Sequence, residues 1–223
     1  MNIVDDNLHV LFDTHFVDVL LADELLKILN TMSFGSGTHR SSLLFGDEDL
    51  VYRVKYKEST GYSVATPWDE FEQLLIVKQK LQTLTKETYN FCAIMKYPNG
   101  EACIKKHRDK EMSYGTQICG VSLGATRQFQ LTAVDNPNHC MTLDLTHGSV
   151  YCLLPPTNTY WCHEILPSTT TDVRYSLTFR NQANPLRVSD LHFCQARFKT
   201  GKKKGQPCHA ITLTDYCKRH TKK

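Results

Sequence analysis

The sequence predicts a mainly β protein with N-terminal helices, ending in a small, separately built C-terminal module. Three observations predict it. Helical spacing of apolar residues occurs only in the first third of the chain. Short apolar or alternating runs separated by turn residues fill the stretch from Phe91 to Phe179, the signature of a sandwich or barrel. Charge and cysteine usage change abruptly near residue 190.

The first helix is expected where VDVLLADELLKIL sets Val17, Leu20, Leu21, Leu25, Ile28 and Leu29 on one face, with Asp13 or Thr14 as its cap. Residues 31–37 read as a small-residue loop, and Ser42–Phe45 as a short strand ending at the Gly46-Asp47 turn. A second helix is expected to open at Thr66-Pro67-Trp68, with Pro67 in its first turn, and to run through Phe71, Leu74, Leu75, Val77 and Leu81. Strands are expected at Phe91–Met95, Gln117–Leu123, Gln128–Val134, Met141–Leu145, Ser149–Leu154 and Arg174–Phe179, separated by Asn99-Gly100, Gly124, Asn136-Pro137, His147-Gly148 and Pro155-Pro156. A polar break containing Pro185 divides the chain into residues 1–185 and a basic module, 190–223.

Composition bounds the function classes. With 41% hydrophobic and 22% charged residues, the 223-residue chain has ample core material and is not disordered as a whole. It has no apolar run of about 18 residues, so no membrane partner is expected. Met1 to Asp6 hold two acids and no basic cluster, so no signal peptide is expected, and the protein is read as an intracellular monomer of nucleus or cytoplasm. The odd total of nine cysteines then argues for reduced thiols. The net charge of +3 averages two different objects: residues 191–223 hold nine bases and one acid, +8, and the rest is −5. Such a tail suits an anionic partner, nucleic acid first, although a lysine-rich terminus can also serve solubility alone.

Lys106-His107-Arg108-Asp109 is the first point of chemistry. If the segment is extended, His107 and Asp109 share a face and offer an imidazole and a carboxylate to one metal ion, with His163 the best-placed third ligand. Two histidines and one carboxylate leave three open positions on Fe(II). Alone, His-x-Asp more often marks solvated residues. Arg174 to Arg180 adds to it, because period-2 geometry puts Arg174, Ser176, Thr178 and Arg180 on one face and Tyr175, Leu177 and Phe179 on the other. That polar face is either a wet sheet edge or the lining of a pocket for a dianion, which arginine pairs bidentately.

Taken together, Tyr97-Pro98-Asn99-Gly100, His107-Arg108-Asp109-Lys110-Glu111, the run from Val121 to Phe129 (VSLGATRQF), His147-Gly148-Ser149, Trp161-Cys162-His163 and Arg174–Arg180 resemble, in order and spacing, the AlkB family of Fe(II)/2-oxoglutarate dioxygenases, its nucleic-acid repair branch above all, from about Leu8 to Gln182. The resemblance implies a double-stranded β-helix (jelly-roll) core, with iron held by His107, Asp109 and His163. It implies 2-oxoglutarate held by Arg174 and Arg180 with Tyr97 alongside. The implied reaction is oxidative demethylation of N-alkylated bases, 1-methyladenine or 3-methylcytosine, in DNA or RNA, releasing formaldehyde, succinate and CO2. Glu111 matches an acidic residue that faces the exocyclic amino group of the flipped base and so bears on base selection. Met95 departs from the family's asparagine and removes one polar contact to 2-oxoglutarate. The segment 42–62 corresponds to a lid, in which Tyr52, Arg53, Lys55, Tyr56, Lys57 and Tyr62 interleave aromatics and bases for nucleic-acid contact, or else form an exposed hairpin. Two alternatives stay open: a dioxygenase acting on a protein or other substrate, and an inactive nucleic-acid-binding module.

In the tail, Cys194, Cys208, Cys217 and His220 provide four zinc ligands, with His192 and His209 as competitors and a disordered reduced tail as the bland reading. About 30 residues bury too little to fold alone, so Zn(II) is expected to be structural. The Lys199–Gly205 loop would then carry Lys202, Lys203 and Lys204 toward phosphates.

Overall fold

The computed structural model describes residues 1–34, 41–55, 60–109, 116–182, 184–208, 210–215, 217 and 220. The chain opens with a hairpin, β1 (Asn2–Asp5) and β2 (Leu8–Asp13), then α1 (Val19–Thr31), β3 (Ser41–Gly46), β4 (Leu50–Lys55), β5 (Thr60–Val64), β6 (Thr66–Pro67) and α2 (Glu72–Thr85). Strands follow: β7 (Phe91–Tyr97), β8 (Ile104–His107), β9 (Ile118–Gly124), β10 (Arg127–Ala133), β11 (Cys140–Leu145) and β12 (Val150–Leu154). The one-turn α3 (Thr157–Tyr160) leads into β13 (Trp161–Ile165) and β14 (Arg174–Arg180). Three short strands end the chain, β15 (Leu186–Arg187), β16 (His192–Phe193) and β17 (Ile211–Thr212). No helix among the described residues is long and apolar enough to cross a membrane.

Two sheets form the jelly roll. The larger has the order β1-β2-β12-β9-β14-β7-β3-β6, the smaller β11-β10-β13-β8. Strict alternation gives the larger sheet two buried faces. Cys92 and Ile94 of β7, Cys119, Val121 and Leu123 of β9, and Tyr175, Leu177 and Phe179 of β14 pack under α1 and α2. From the opposite face, Tyr97, Ile118, Tyr151 and Leu153 meet Phe129, Leu131, Trp161 and Ile165 of the smaller sheet. The inward polar residues of β14 therefore lie between the sheets, a position in which a wet sheet edge is ruled out.

The sequence expectations for the front of the chain shift in detail. Asp13 lies in β2, and the cap of α1 is Asp18, whose Oδ1 accepts from the Leu21 amide at 3.1 Å. The helix consequently turns Ala22, Leu25 and Leu29 to the core and leaves Leu20 79% exposed. Thr66 and Pro67 form the short parallel strand beside β3, Trp68–Glu70 is a single 3-10 turn, and α2 starts only at Glu72.

One contact between the sheet strands is tight enough to predict from. A Cβ at Gly120 would lie 2.3 Å from the Tyr151 ring, and that ring is itself stacked on Phe129 at 4.4 Å. Gly120→Ala is expected to lower stability by about 1–3 kcal/mol, the usual scale of overpacking. Thermal unfolding checks it, and adding Tyr151→Leu should restore part of the loss.

Candidate active site

Cross-strand pairing builds the first half of the site. His163 on β13 is in register with His107 on β8, so both imidazoles emerge on one side, ring centroids 4.3 Å apart. Asp109 follows the end of β8, and its backbone is clamped by one side chain. Its N–H donates to Asn158 Oδ1 at 3.1 Å, and its carbonyl accepts from Asn158 Nδ2 at 2.8 Å. Arg108 assists by donating to the Thr159 carbonyl. The ligand-type atoms of His107, Asp109 and His163 all lie within 4.8 Å of one another.

The electrostatics fit a cation. Burial pushes the Asp109 carboxyl up, but the Arg180 guanidinium (2.9 Å from Oδ2) and the two imidazoles outweigh it and hold the group at about 2. Burial takes His163 down to about 4, so it is neutral at pH 7. His107 is also pulled down by burial, but Asp109 and the Lys105 carbonyl prevail and raise it. His107 Nδ1 lies 2.8 Å from the Lys105 carbonyl, which only accepts, so Nδ1 carries the proton and Nε2 points toward Asp109 Oδ1. That 3.6 Å gap is too long for a hydrogen bond. It suits two donors of one ion, since bonds of about 2 Å place adjacent ligand atoms about 3 Å apart. Two imidazoles with one ionised carboxylate are a donor set that fits Fe(II), and the second proton that Asp109 favours on His107 is the one a metal ion would displace.

The second half fits a carboxylate. Arg174 is 1% exposed. Its Nε donates to Ser122 Oγ at 2.8 Å, and its Cζ stands 5.1 Å from the centroid of the Tyr97 ring. Nη1 and Nη2 find no acceptor among the described residues. A buried guanidinium with two unmatched donor groups is costly, and a carboxylate would satisfy both in parallel. Between the sheets, a cavity of about 440 Å³ is lined by the three metal-type ligands together with Met95, Tyr97, Tyr151, Ser176, Thr178 and Arg180. A cleft of about 620 Å³ where residues 184–192 meet Leu213 shares no lining residue with it.

Two structurally decisive residues are not marked by pattern. Asn158 is one, because its partner is the backbone of Asp109, 49 positions away. Arg127 is the other. It is 1% exposed, and its guanidinium donates to the carbonyls of Asn99, Gly100, Ala102 and Leu166, tying the loop after Tyr97 to the end of β13. Arg127→Met should destabilise by about 3 kcal/mol, since buried carbonyls left unmatched lose roughly 1–3 kcal/mol each and partly relax. Denaturant titration of both proteins measures it.

The expected nucleic-acid residues divide. Tyr52 is half-buried, stacks on Phe91 at 4.9 Å and lines the cavity. Arg53 and Lys55 lie on β4, and their side chains fall outside the described residues, as do Tyr56, Lys57 and Glu111 altogether. In the tail, the ligand-type atoms of Cys194, Cys208, Cys217 and His220 lie within 4.8 Å of one another. His220 Nδ1 is 3.4 Å from both Cys194 Sγ and Cys217 Sγ, and Cys208 Sγ is 3.8 Å from Cys217 Sγ. His192 is absent from the group, and His209 lies outside the described residues. Burial pushes the Cys194 thiol up, but amide N–H donors and its neighbours in the cluster bring it to about 6, toward the thiolate that metals bind.

Known proteins are similar to part of this chain. The bovine DNA oxidative demethylase ALKBH2 is 31% identical over 152 residues, covering 63% of this chain and 52% of its own length. The human protein of the same name is 30% identical over 152 residues, 63% and 56%. This chain thus spans little more than half the length of these relatives. The solved structure described as OsALKBH1 superposes with a TM-score of 0.53 at 13% identity, covering 77% of this chain and 97% of that one, a likeness of fold alone. Residues 31–180 match the profile of the 2OG-Fe(II) oxygenase superfamily, a span that contains both histidines, Asp109 and the two arginines of β14. The chain belongs to that superfamily, as an AlkB-like member.

Proposed function

We propose that the protein is an Fe(II)/2-oxoglutarate-dependent demethylase of N-alkylated bases, of the 1-methyladenine and 3-methylcytosine type, in DNA or RNA, releasing formaldehyde, succinate and CO2. The observation that carries the reading is one cavity whose lining joins a His-Asp-His donor set to Tyr97, the ring beside which the buried Arg174 guanidinium stands with two donor groups unmatched among the described residues. Iron and 2-oxoglutarate, when bound, supply the oxidising chemistry. The chain's residues do the rest. His107, Asp109 and His163 hold the metal, Arg180 keeps Asp109 ionised, and Asn158 fixes its position. Arg174 takes a carboxylate of the co-substrate, with Tyr97 beside it. Ser176 is the register partner of Met95 on β7 and lines the same cavity, so its hydroxyl stands beside the position where Met95 offers no polar contact. Phe129, Tyr151 and Ile118 keep water from the reacting centre. Tyr52, lining the cavity, supplies a face for stacking an extruded base. The Cys194, Cys208, Cys217 and His220 set suits structural Zn(II), three thiolates and an imidazole leaving no open position.

Incubation of 1-methyladenine and 3-methylcytosine oligonucleotides with Fe(II), 2-oxoglutarate and oxygen should release formaldehyde from at least one of them. Co-substrate decarboxylation without any formaldehyde would move the substrate to another class of molecule, and no decarboxylation at all would leave only a binding module.

A further inference from the structure

The described tail residues hold almost no apolar core. Phe193 is 68% exposed, Ile211 42% and Leu213 37%. What gives the segment shape is a hairpin closed at its base by the Cys/His cluster. The Cys208 amide donates to the Ala196 carbonyl at 2.9 Å, Phe198 to Gln206 at 3.0 Å, and Gly205 to Phe198 at 2.8 Å. Arg197 Nη1 donates to the Gly205 carbonyl at 2.7 Å. Gly201 and Gly205, at φ +79° and +80°, turn the tip. Lys202, Lys203 and Lys204 are all exposed on that tip, between the ligands Cys194 and Cys208.

Position and charge give the tip a task. β17 packs against β5, β5 pairs with β4, and β4 carries Tyr52, which lines the cavity. The tail therefore adjoins the sheet that borders the cavity. The body, at −5, repels a polyanion as a whole, and the +8 of residues 191–223 is the concentrated positive charge available to attract one.

We propose that the Lys202–Lys204 tip is a phosphate contact for the nucleic-acid backbone flanking the base in the cavity, and that the zinc-bound cluster holds the tip in shape for it. This rests on the nucleic-acid reading above. It assigns backbone grip to the tail and base selection to the cavity.

The test is fluorescence anisotropy of a labelled oligonucleotide bearing 3-methylcytosine, titrated with the full chain at about 50 and 200 mM salt, alongside zinc analysis. The parent should contain one zinc. The triple variant Lys202→Gln, Lys203→Gln, Lys204→Gln should bind more weakly at low salt and show a salt slope shallower by about 2–3. Over the fourfold salt range the parent then loses roughly 16- to 64-fold more affinity than the variant. Cys208→Ser should lose zinc and weaken binding in the same direction. Because the lysines are exposed, the triple variant keeps the test informative even if Cys208→Ser fails to fold. Equal slopes for parent and triple variant overturn the phosphate contact, and a parent without zinc overturns the role given to the cluster. A parent that neither binds the oligonucleotide nor demethylates it overturns the nucleic-acid reading itself.

Discussion

Asp109→Asn is expected to remove turnover, with 2-oxoglutarate decarboxylation falling at least about a hundredfold, because loss of even an outer partner of a metal ligand takes 10–100-fold. The amide is nearly isosteric, so the loss reports the anionic ligand and not a collapsed pocket. A second consequence appears in chelator-treated protein. Asp109 is held near 2 by Arg180 and the imidazoles, against an ordinary 3.8. A depressed carboxyl stabilises the fold above its unfolded value and loses that contribution as pH falls through the folded one, so at pH 7 the pair is worth about 2–3 kcal/mol. Both side chains are little exposed, 6% and 15%, so screening leaves most of it. The metal-free variant should therefore melt lower than the parent at pH 7, with the gap narrowing as pH falls from 4 toward 2. Unchanged decarboxylation with unchanged iron content would remove Asp109 from the metal set.

Much of this site is legible in the sequence because its signals are local. The period-2 run from Arg174 to Arg180 fixes which residues face inward without knowledge of any neighbour. Burial between the sheets then supplies what the run alone leaves open, since Arg174 is covered by both Ser122 and Tyr97. The same locality explains the misplaced start of α1. Apolar Leu11 blurs the alternation of Leu8, Val10 and Phe12, so β2 is hidden and Asp13 looks free to cap. Once β2 pairs with β12, the next acid, Asp18, takes that role. The strands β8 and β13 are short and carry Lys, His and Glu, which weakens their pattern until their pairing is seen.

What stays hidden is long-range. Arg127 sits in a run that resembles the family, yet its partners are backbone carbonyls 25 to 39 positions away. Asn158 likewise reaches across 49 positions to Asp109. A side chain that serves another segment's backbone leaves no periodicity, because its partner contributes no side-chain identity. The tail is the opposite case. Its described residues hold almost no apolar core, yet Cys194, Cys208, Cys217 and His220 lie together, residue types that point to ligand chemistry from sequence alone.

Arg174→Met separates function from stability more sharply than any other substitution at this site. Arg174 is fully enclosed, bonded through Nε to Ser122, with Nη1 and Nη2 unmatched among the described residues. Burial also pulls its pKa below the usual arginine value, as expected of a charge held without an anion. Replacing such a buried charge by an apolar chain of similar volume is commonly neutral or stabilising by about 1–4 kcal/mol. The variant without 2-oxoglutarate should thus melt no lower than the parent. Its affinity for 2-oxoglutarate should collapse, since two charge-assisted hydrogen bonds at about 1.5–3 kcal/mol each correspond to a hundredfold to ten-thousandfold rise in Kd. Arg174→Lys keeps the charge but not the planar fork, so it should recover only part of the affinity. Titration calorimetry gives the Kd, and thermal unfolding with and without 2-oxoglutarate gives the rest: the parent gains stability on adding it and the methionine variant does not. A variant that keeps its affinity but loses stability would make Arg174 a packing residue and move the co-substrate's carboxylate elsewhere in the cavity.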